Sequence, residues 1–227
     1  MRLNLLRPLY ERPGPWASVY LDTSQDTAGA ARAVEARWFA ARDALADAGC
    51  DPLTVHALDD AVHDHHPPVP GRHGLALFAT AGEVIMRQAL PEPPAAIVAY
   101  DPLPHAMPMI VQLARDAEDD AAPDQFEDGL AEVVGHLSRG EVETLLLIDD
   151  PSSTERLWIG PDPLQLSDDP EVLNRAGIRH PPLVRADAAI LRALTAAEGS
   201  IRLVDPAGHH HLRGGVAALL RYADVRR

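Results

Sequence analysis

The sequence predicts two domains in tandem: an α+β domain over residues 1–113 and an α/β domain over 124–227, joined by an acidic linker at 114–123. Three observations point there. Residues 114–128 hold seven acids against Arg115, a net −6 out of −14 for the whole chain. Such a run buries too little apolar surface to offset its ordering entropy, so it reads as a solvated connector. Before it, two amphipathic helical patterns are followed by a run of strand patterns; after it, helices and strands alternate.

In the first half, Asn4 to Glu11 fits a short helix bounded by Pro8 and Pro13. Trp16 to Leu21 alternates aromatic and aliphatic residues between Pro15 and Asp22, the pattern of a strand. From about Thr27 to Ala48, Val34, Trp38, Ala41, Leu45 and Ala48 form one helical stripe, stopped by Gly49. Asp51-Pro52 then opens a second helix as N-cap and N1, with Val55, Leu58 and Val62 inward. Strands follow at Gly74–Thr80, Glu83–Leu90 and Ala95–Tyr100, the first two joined by a hairpin at Ala81-Gly82. A short strand is expected at Met107–Leu113.

In the second half, Asp124 lies three residues before Glu127, the spacing of a capping box for a helix starting near Gln125. Phe126, Leu130, Val133, Val134 and Leu137 supply its apolar face and Gly140 its end. Val142–Ile148 is a near-continuous apolar run, as expected of a central strand covered on both sides. Arg156–Ile159 is a shorter strand, and Asp169-Pro170 caps a short helix ending at Gly177. A helix over Asp187–Glu198, a strand at Ser200–Val204, a turn at Asp205–Gly208 and a last helix at Gly215–Tyr222 complete the pattern.

Composition narrows the function classes. No apolar run approaches the roughly 20 residues of a membrane span, and Met1–Pro8 lacks the apolar core of a secretory signal. A single cysteine, Cys50, permits no internal disulfide, which fits a reducing cytoplasm. All twenty basic residues are arginine, the usage of a GC-rich bacterial genome. With no concentrated basic stretch, the chain does not read as a general nucleic-acid binder.

Several segments together resemble bacterial relatives of the archaeal and eukaryotic class I peptide chain release factor. Pro15-Trp-Ala-Ser-Val-Tyr-Leu-Asp-Thr-Ser24 looks like that family's opening strand, and Gly74–Thr80 with its hairpin is similar too. The end is the more specific match: Gly140–Ile148, Arg185-Ala-Asp187 opening a helix, and Gly214-Gly-Val-Ala-Ala-Leu-Leu-Arg-Tyr222. These resemble the C-terminal domain shared with Pelota, a three-layer α/β/α domain akin to kink-turn-binding ribosomal proteins. The family's middle domain, of over a hundred residues and RNase-H-like, has no counterpart, because Leu113–Gln125 stands in its place. That domain carries the Gly-Gly-Gln loop that releases peptide; here Gly214-Gly215 precedes Val216. The family's lysine motif for stop codons is absent as well. The resemblance thus implies association with the ribosome or ribosomal proteins, in the manner of a hibernation factor, without peptide release.

The residues themselves leave two other readings open. A metal-dependent or hydrolytic enzyme would draw on His63, His65 and His66, near His56 and His73, or on Asp149 and Asp150 beyond the central strand. Each has a plainer explanation. Histidines are favoured at a helix C-terminus, Asp149–Thr154 has the composition of a turn, and His209–His211 reads as exposed decoration. No nucleophile elbow, His-Glu-x-x-His, phosphate-cradling glycine loop or Cys-x-x-Cys occurs. The third reading is a degenerate paralogue acting as a protein-interaction module, through self-association. The expectations are therefore no cofactor, no membrane, no catalytic residue and no firm metal site.

Overall fold

The computed structural model describes residues 1–26, 29–65, 71–115, 126–148, 154–204 and 212–221. The chain is a mixed α/β protein that divides into two compact units. One is Pro8–Leu113; the other is Met1–Arg7 together with Ala114–Arg227. The first seven residues, grouped with 1–113 in the sequence reading, thus belong to the other unit. Among the described residues no helix is long and apolar enough to cross a membrane.

After a 3₁₀ turn at Asn4–Leu6 and a helical turn α1 (Arg7–Tyr10), the first unit runs β1 (Trp16–Asp22), α2 (Ala30–Asp47) and α3 (Pro52–His63). It continues with β2 (Gly74–Thr80), β3 (Glu83–Leu90), β4 (Ile97–Asp101) and α4 (Met107–Arg115). The strands form one antiparallel sheet in the order β3-β2-β1-β4. The expected hairpin at Ala81-Gly82 is present. Both residues have positive φ, 49° and 78°, which a tight two-residue loop of matching twist requires.

Period-two alternation gives β1 two different faces. Ala17, Val19 and Leu21 meet Trp38, Ala41 and Leu45 of α2 and Leu58 and Val62 of α3 in one buried cluster. Asp51 caps α3 as the sequence predicts, its carboxylate accepting the Thr54 amide at 2.9 Å. On the other face the Tyr20 hydroxyl accepts from the Met109 amide at 3.2 Å. Here the expected strand Met107–Leu113 is corrected to helix α4. Short apolar runs do not distinguish the two periods. Pro108 sits in the first helical turn, where a missing N–H costs nothing. Ala106, Ile110 and Ala114 fall on one buried side.

The second unit comprises β5 (Glu127–Asp128), α5 (Leu130–Ser138), β6 (Val142–Leu147), β7 (Arg156–Ile159), β8 (Leu166–Ser167), α6 (Pro170–Arg175) and β9 (Leu183–Arg185). It ends with α7 (Ala186–Ala196), β10 (Ser200–Leu203), a 3₁₀ turn at Arg213–Gly215 and β11 (Val216–Leu220). Four strands form a sheet in the order β10-β6-β11-β5, with β10 parallel to β6 and the other pairs antiparallel. Beta6 is central, and its adjacent residues Leu145 and Leu146 are both fully buried, as the apolar run predicts. The N-terminus covers the β10 edge. Arg2 bridges Ser200, and the Ile201 amide donates to the Met1 carbonyl at 2.8 Å.

Two expectations fail here, both through the same sheet. The last helix, Gly215–Tyr222, is instead strand β11 over Val216–Leu220, inserted between β6 and β5. Alanine and leucine favour helix locally, but Val216, Ala217 and Ala218 are buried in mid-sheet, where pairing decides. The helix expected near Gln125 begins at Leu130. Glu127 and Asp128 pair with Ala218 and Ala217, and Gly129, at φ 104°, turns the chain into α5. Asp124 and Gln125 of the proposed capping box lie outside the described residues.

Candidate ligand site

Of the sequence-predicted metal candidates, His63 and His65 fall among the described residues. His63 is the last residue of α3, and its Nδ1–H donates to the Asp59 carbonyl one turn back at 2.8 Å. That bond, then the nearby Asp59 charge, raises the imidazole above its ordinary value. Asp59 is itself engaged, accepting the indole N–H of Trp38. His56 faces Asp60 at 3.7 Å. His65 lies just past the helix, and the His73 amide donates to the Ser24 hydroxyl at 3.3 Å. Among the described residues no group of three His, Cys, Asp or Glu is placed to hold a metal ion. His66, Asp149, Asp150 and His209–His211 lie outside the described residues. Cys50 is buried, and burial beside the Asp51 charge pushes its thiol up to about 11, so it is a poor nucleophile.

A concavity does occur where the sequence drew no attention. Beta7, β8 and β9 form a small antiparallel sheet in the order β8-β7-β9. Leu157, Ile159, Val184 and Leu166 turn into the core, so Arg156 and Trp158 face the other way. In register with them, Trp158 lies opposite Leu183, and Arg156 opposite Arg185. Directly opposed residues share a face, which puts an aromatic ring, a half-exposed leucine and two arginines on one surface. Beside it a cavity of about 580 Å³ is lined by Trp158, Pro170, Asn174, Arg179, His180 and Pro181.

The loop that supplies Arg179 and His180 is fixed at both ends. Alpha6 stops in a glycine C-cap, Gly177 at φ 86°, with the Ile178 amide donating to the Leu173 carbonyl at 3.0 Å. At the far end the Ile159 amide donates to Pro182 at 3.0 Å, stitching the loop to β7. Between them His180 holds φ 55°, a left-handed conformation in which histidine is more frequent than most side chains. Two prolines follow, limiting the backbone further.

The polar groups of this region differ in what they already hold. Arg185 forks onto Asp187, Nε to Oδ1 at 3.1 Å and Nη2 to Oδ2 at 2.7 Å. Asn174 donates to Glu171 at 3.2 Å, and Asp169 caps α6 by accepting the Glu171 amide at 2.9 Å. Arg156, Arg179 and His180 are exposed and make no side-chain hydrogen bond or ion pair with another described residue. Chemically, the site offers an apolar ring wall and an uncommitted guanidinium. The only sequence signal was Arg156-Leu-Trp-Ile159, whose alternation exposes Arg156 and Trp158. Arg179-His180 carried none, because the cavity exists only once α6 and β7 are packed.

No family model matches this chain. It is similar to two curated relatives, both described as an uncharacterized protein of Mycobacterium tuberculosis, from strains CDC 1551 / Oshkosh and ATCC 25618 / H37Rv. Each is 37% identical over 111 residues, covering 48% of this chain and 29% of the relative. The match therefore spans less than a third of either relative's length.

Proposed function

We propose that this chain is a non-catalytic, translation-associated binding protein, with the ribosome or a ribosomal protein as partner and the cytoplasm as its location. In this reading the first half corresponds to the opening α+β domain of the release-factor family. The second half corresponds to its closing three-layer α/β/α domain. What supports the correspondence is that two of the matched segments form central strands: Trp16–Asp22 lies between β2 and β4, and Val142–Leu147 between β10 and β11.

The observation that argues against peptide release is the position of Gly214-Gly215. A peptide-releasing Gly-Gly-Gln must project from its domain. Here the Gly215 carbonyl accepts the Ile148 amide at 2.8 Å, and Arg213, next to Gly214, forks onto Asp128 at 2.7 and 3.0 Å. The pair is built into the turn that feeds β11.

Sedimentation of lysate through a sucrose gradient, with the protein detected by antibody, tests the reading. Co-migration with ribosomal particles in growing or starved cells is expected, and absence from every ribosomal fraction would refute it. In a purified translation assay the protein should release no peptide from stalled peptidyl-tRNA.

A further inference from the structure

We propose that the cavity beside β7 binds a nucleotide, the base stacking on Trp158 and the phosphate held by Arg179. This goes beyond ribosome association and is tested on the purified chain alone. The chain has three tryptophans, and their placement differs. Trp16 and Trp38 are 1% and 0% exposed inside the other unit, whereas Trp158 is only half-buried and walls a cavity. Its face also carries Arg156 and the half-exposed Leu183. The cavity, about 580 Å³, falls within the roughly 300–1,000 Å³ of small-molecule sites.

Arg179 explains the choice of ligand class. A planar guanidinium presents a donor fork that matches phosphate oxygens, and this one has no carboxylate among the described residues. The acids nearest in sequence are turned to other work, Glu171 accepting from Asn174 and Asp187 accepting the fork of Arg185. His180 and Asn174 line the same space and supply further hydrogen-bonding groups to the sugar. Stacking on an aromatic side chain tolerates any base, since every base has a π-face. A net charge of −14 opposes a long polyanion, so the ligand is a single nucleotide, either free or the unpaired nucleotide of a short RNA segment.

The experiment titrates AMP into the full chain and follows the ligand-dependent change in tryptophan emission, which reports Trp158 because the other two indoles are buried away from the cavity in the other unit. Saturable quenching is expected. Adenosine should bind about tenfold more weakly, and inorganic phosphate should leave emission unchanged. By calorimetry, Arg179→Ala should weaken AMP about tenfold while leaving adenosine binding unaltered; exposed and unpaired among the described residues, Arg179 is not needed for folding. Trp158→Phe should keep AMP binding and Trp158→Leu should lose it. A hexaribonucleotide binding more tightly than AMP would identify RNA as the source, and equal binding a free nucleotide. No saturable binding of either at about 10 mM, where even a weak site fills, overturns the proposal. So does AMP affinity that ignores Arg179→Ala.

Discussion

Tyr20 and Trp158 are both aromatic residues on sheet faces with polar groups at hand, and the chain treats them in opposite ways. Tyr20 is fully buried. Its hydroxyl donates to the His105 carbonyl at 2.8 Å and accepts from the Met109 amide at 3.2 Å. The His105 amide in turn donates to Ser18, two residues along the same strand face, at 3.0 Å. Phe78 meets the Tyr20 ring edge-on at 5.9 Å. This closed network satisfies backbone groups at the start of α4 and fixes that helix to β1. Around Trp158 several polar groups are left open: Arg156, Arg179 and His180 are exposed and make no side-chain bond with another described residue. A closed network specifies a fold; an open one leaves groups for a ligand.

The sharpest test of that contrast is truncation on each side. Phe78→Ala removes a fully buried ring and should cost about 3–5 kcal/mol. Trp158→Leu, at a half-exposed wall, should cost about 1 kcal/mol or less. Urea denaturation of the two variants measures both. Equal losses would mean that Trp158 is a core residue and that the contrast is false.

Next in size is Tyr20→Phe, which keeps the ring and deletes only the hydroxyl. It strands the buried Met109 amide and His105 carbonyl, and should cost about 1–3 kcal/mol with faster amide exchange at Met109. Unchanged exchange would show that the network does not hold α4.

How much of this was legible follows from where each signal resides. The α3 cap at Asp51-Pro52, the hairpin at Ala81-Gly82 and the central strand at Val142–Leu147 were readable because local chemistry and tertiary demand agree. Val216–Leu220 was not, since a helix-favouring run was overruled by its slot between β6 and β5. Met107–Arg115 was ambiguous by period. For the site, the sequence pointed to histidine and aspartate clusters because residue types are visible there. His63 answers its own helix instead. Arg179 stood isolated in sequence, and its meaning depends on a cavity formed by residues from three separate elements.

Gly160 offers a smaller perturbation aimed at the open side alone. A Cβ there would meet Gln165 Oε1 at 2.4 Å and Ile178 Cδ1 at 2.6 Å. Both are side-chain atoms that must give way, so Gly160→Ala should cost about 1–3 kcal/mol. Ile178 immediately precedes Arg179, so the same substitution should weaken AMP binding severalfold. A stability loss with binding intact would show that the loop's position does not govern the site.

The smallest effect concerns Arg213, an exposed arginine like Arg179 but a committed one. Its guanidinium donates to Asp128 Oδ1 through both Nε and Nη2, tying the turn before β11 to β5. Those bonds, first through the side chain and then through the Arg213 amide, hold the Asp128 carboxyl below its ordinary value. The folded state therefore binds a proton less readily than the unfolded one. The pair's contribution is present at neutral pH and above the ordinary carboxylate value. It is lost as pH falls through the depressed folded value. Because both groups meet water, salt should screen much of the effect. Carboxyl-carbon NMR should place the Asp128 midpoint below the usual carboxylate range, and Arg213→Ala should return it there. Arg179→Ala should move no carboxylate at all. A carboxylate that shifts upward in that variant would reveal a partner for Arg179 and close the side of the comparison that is held to be open.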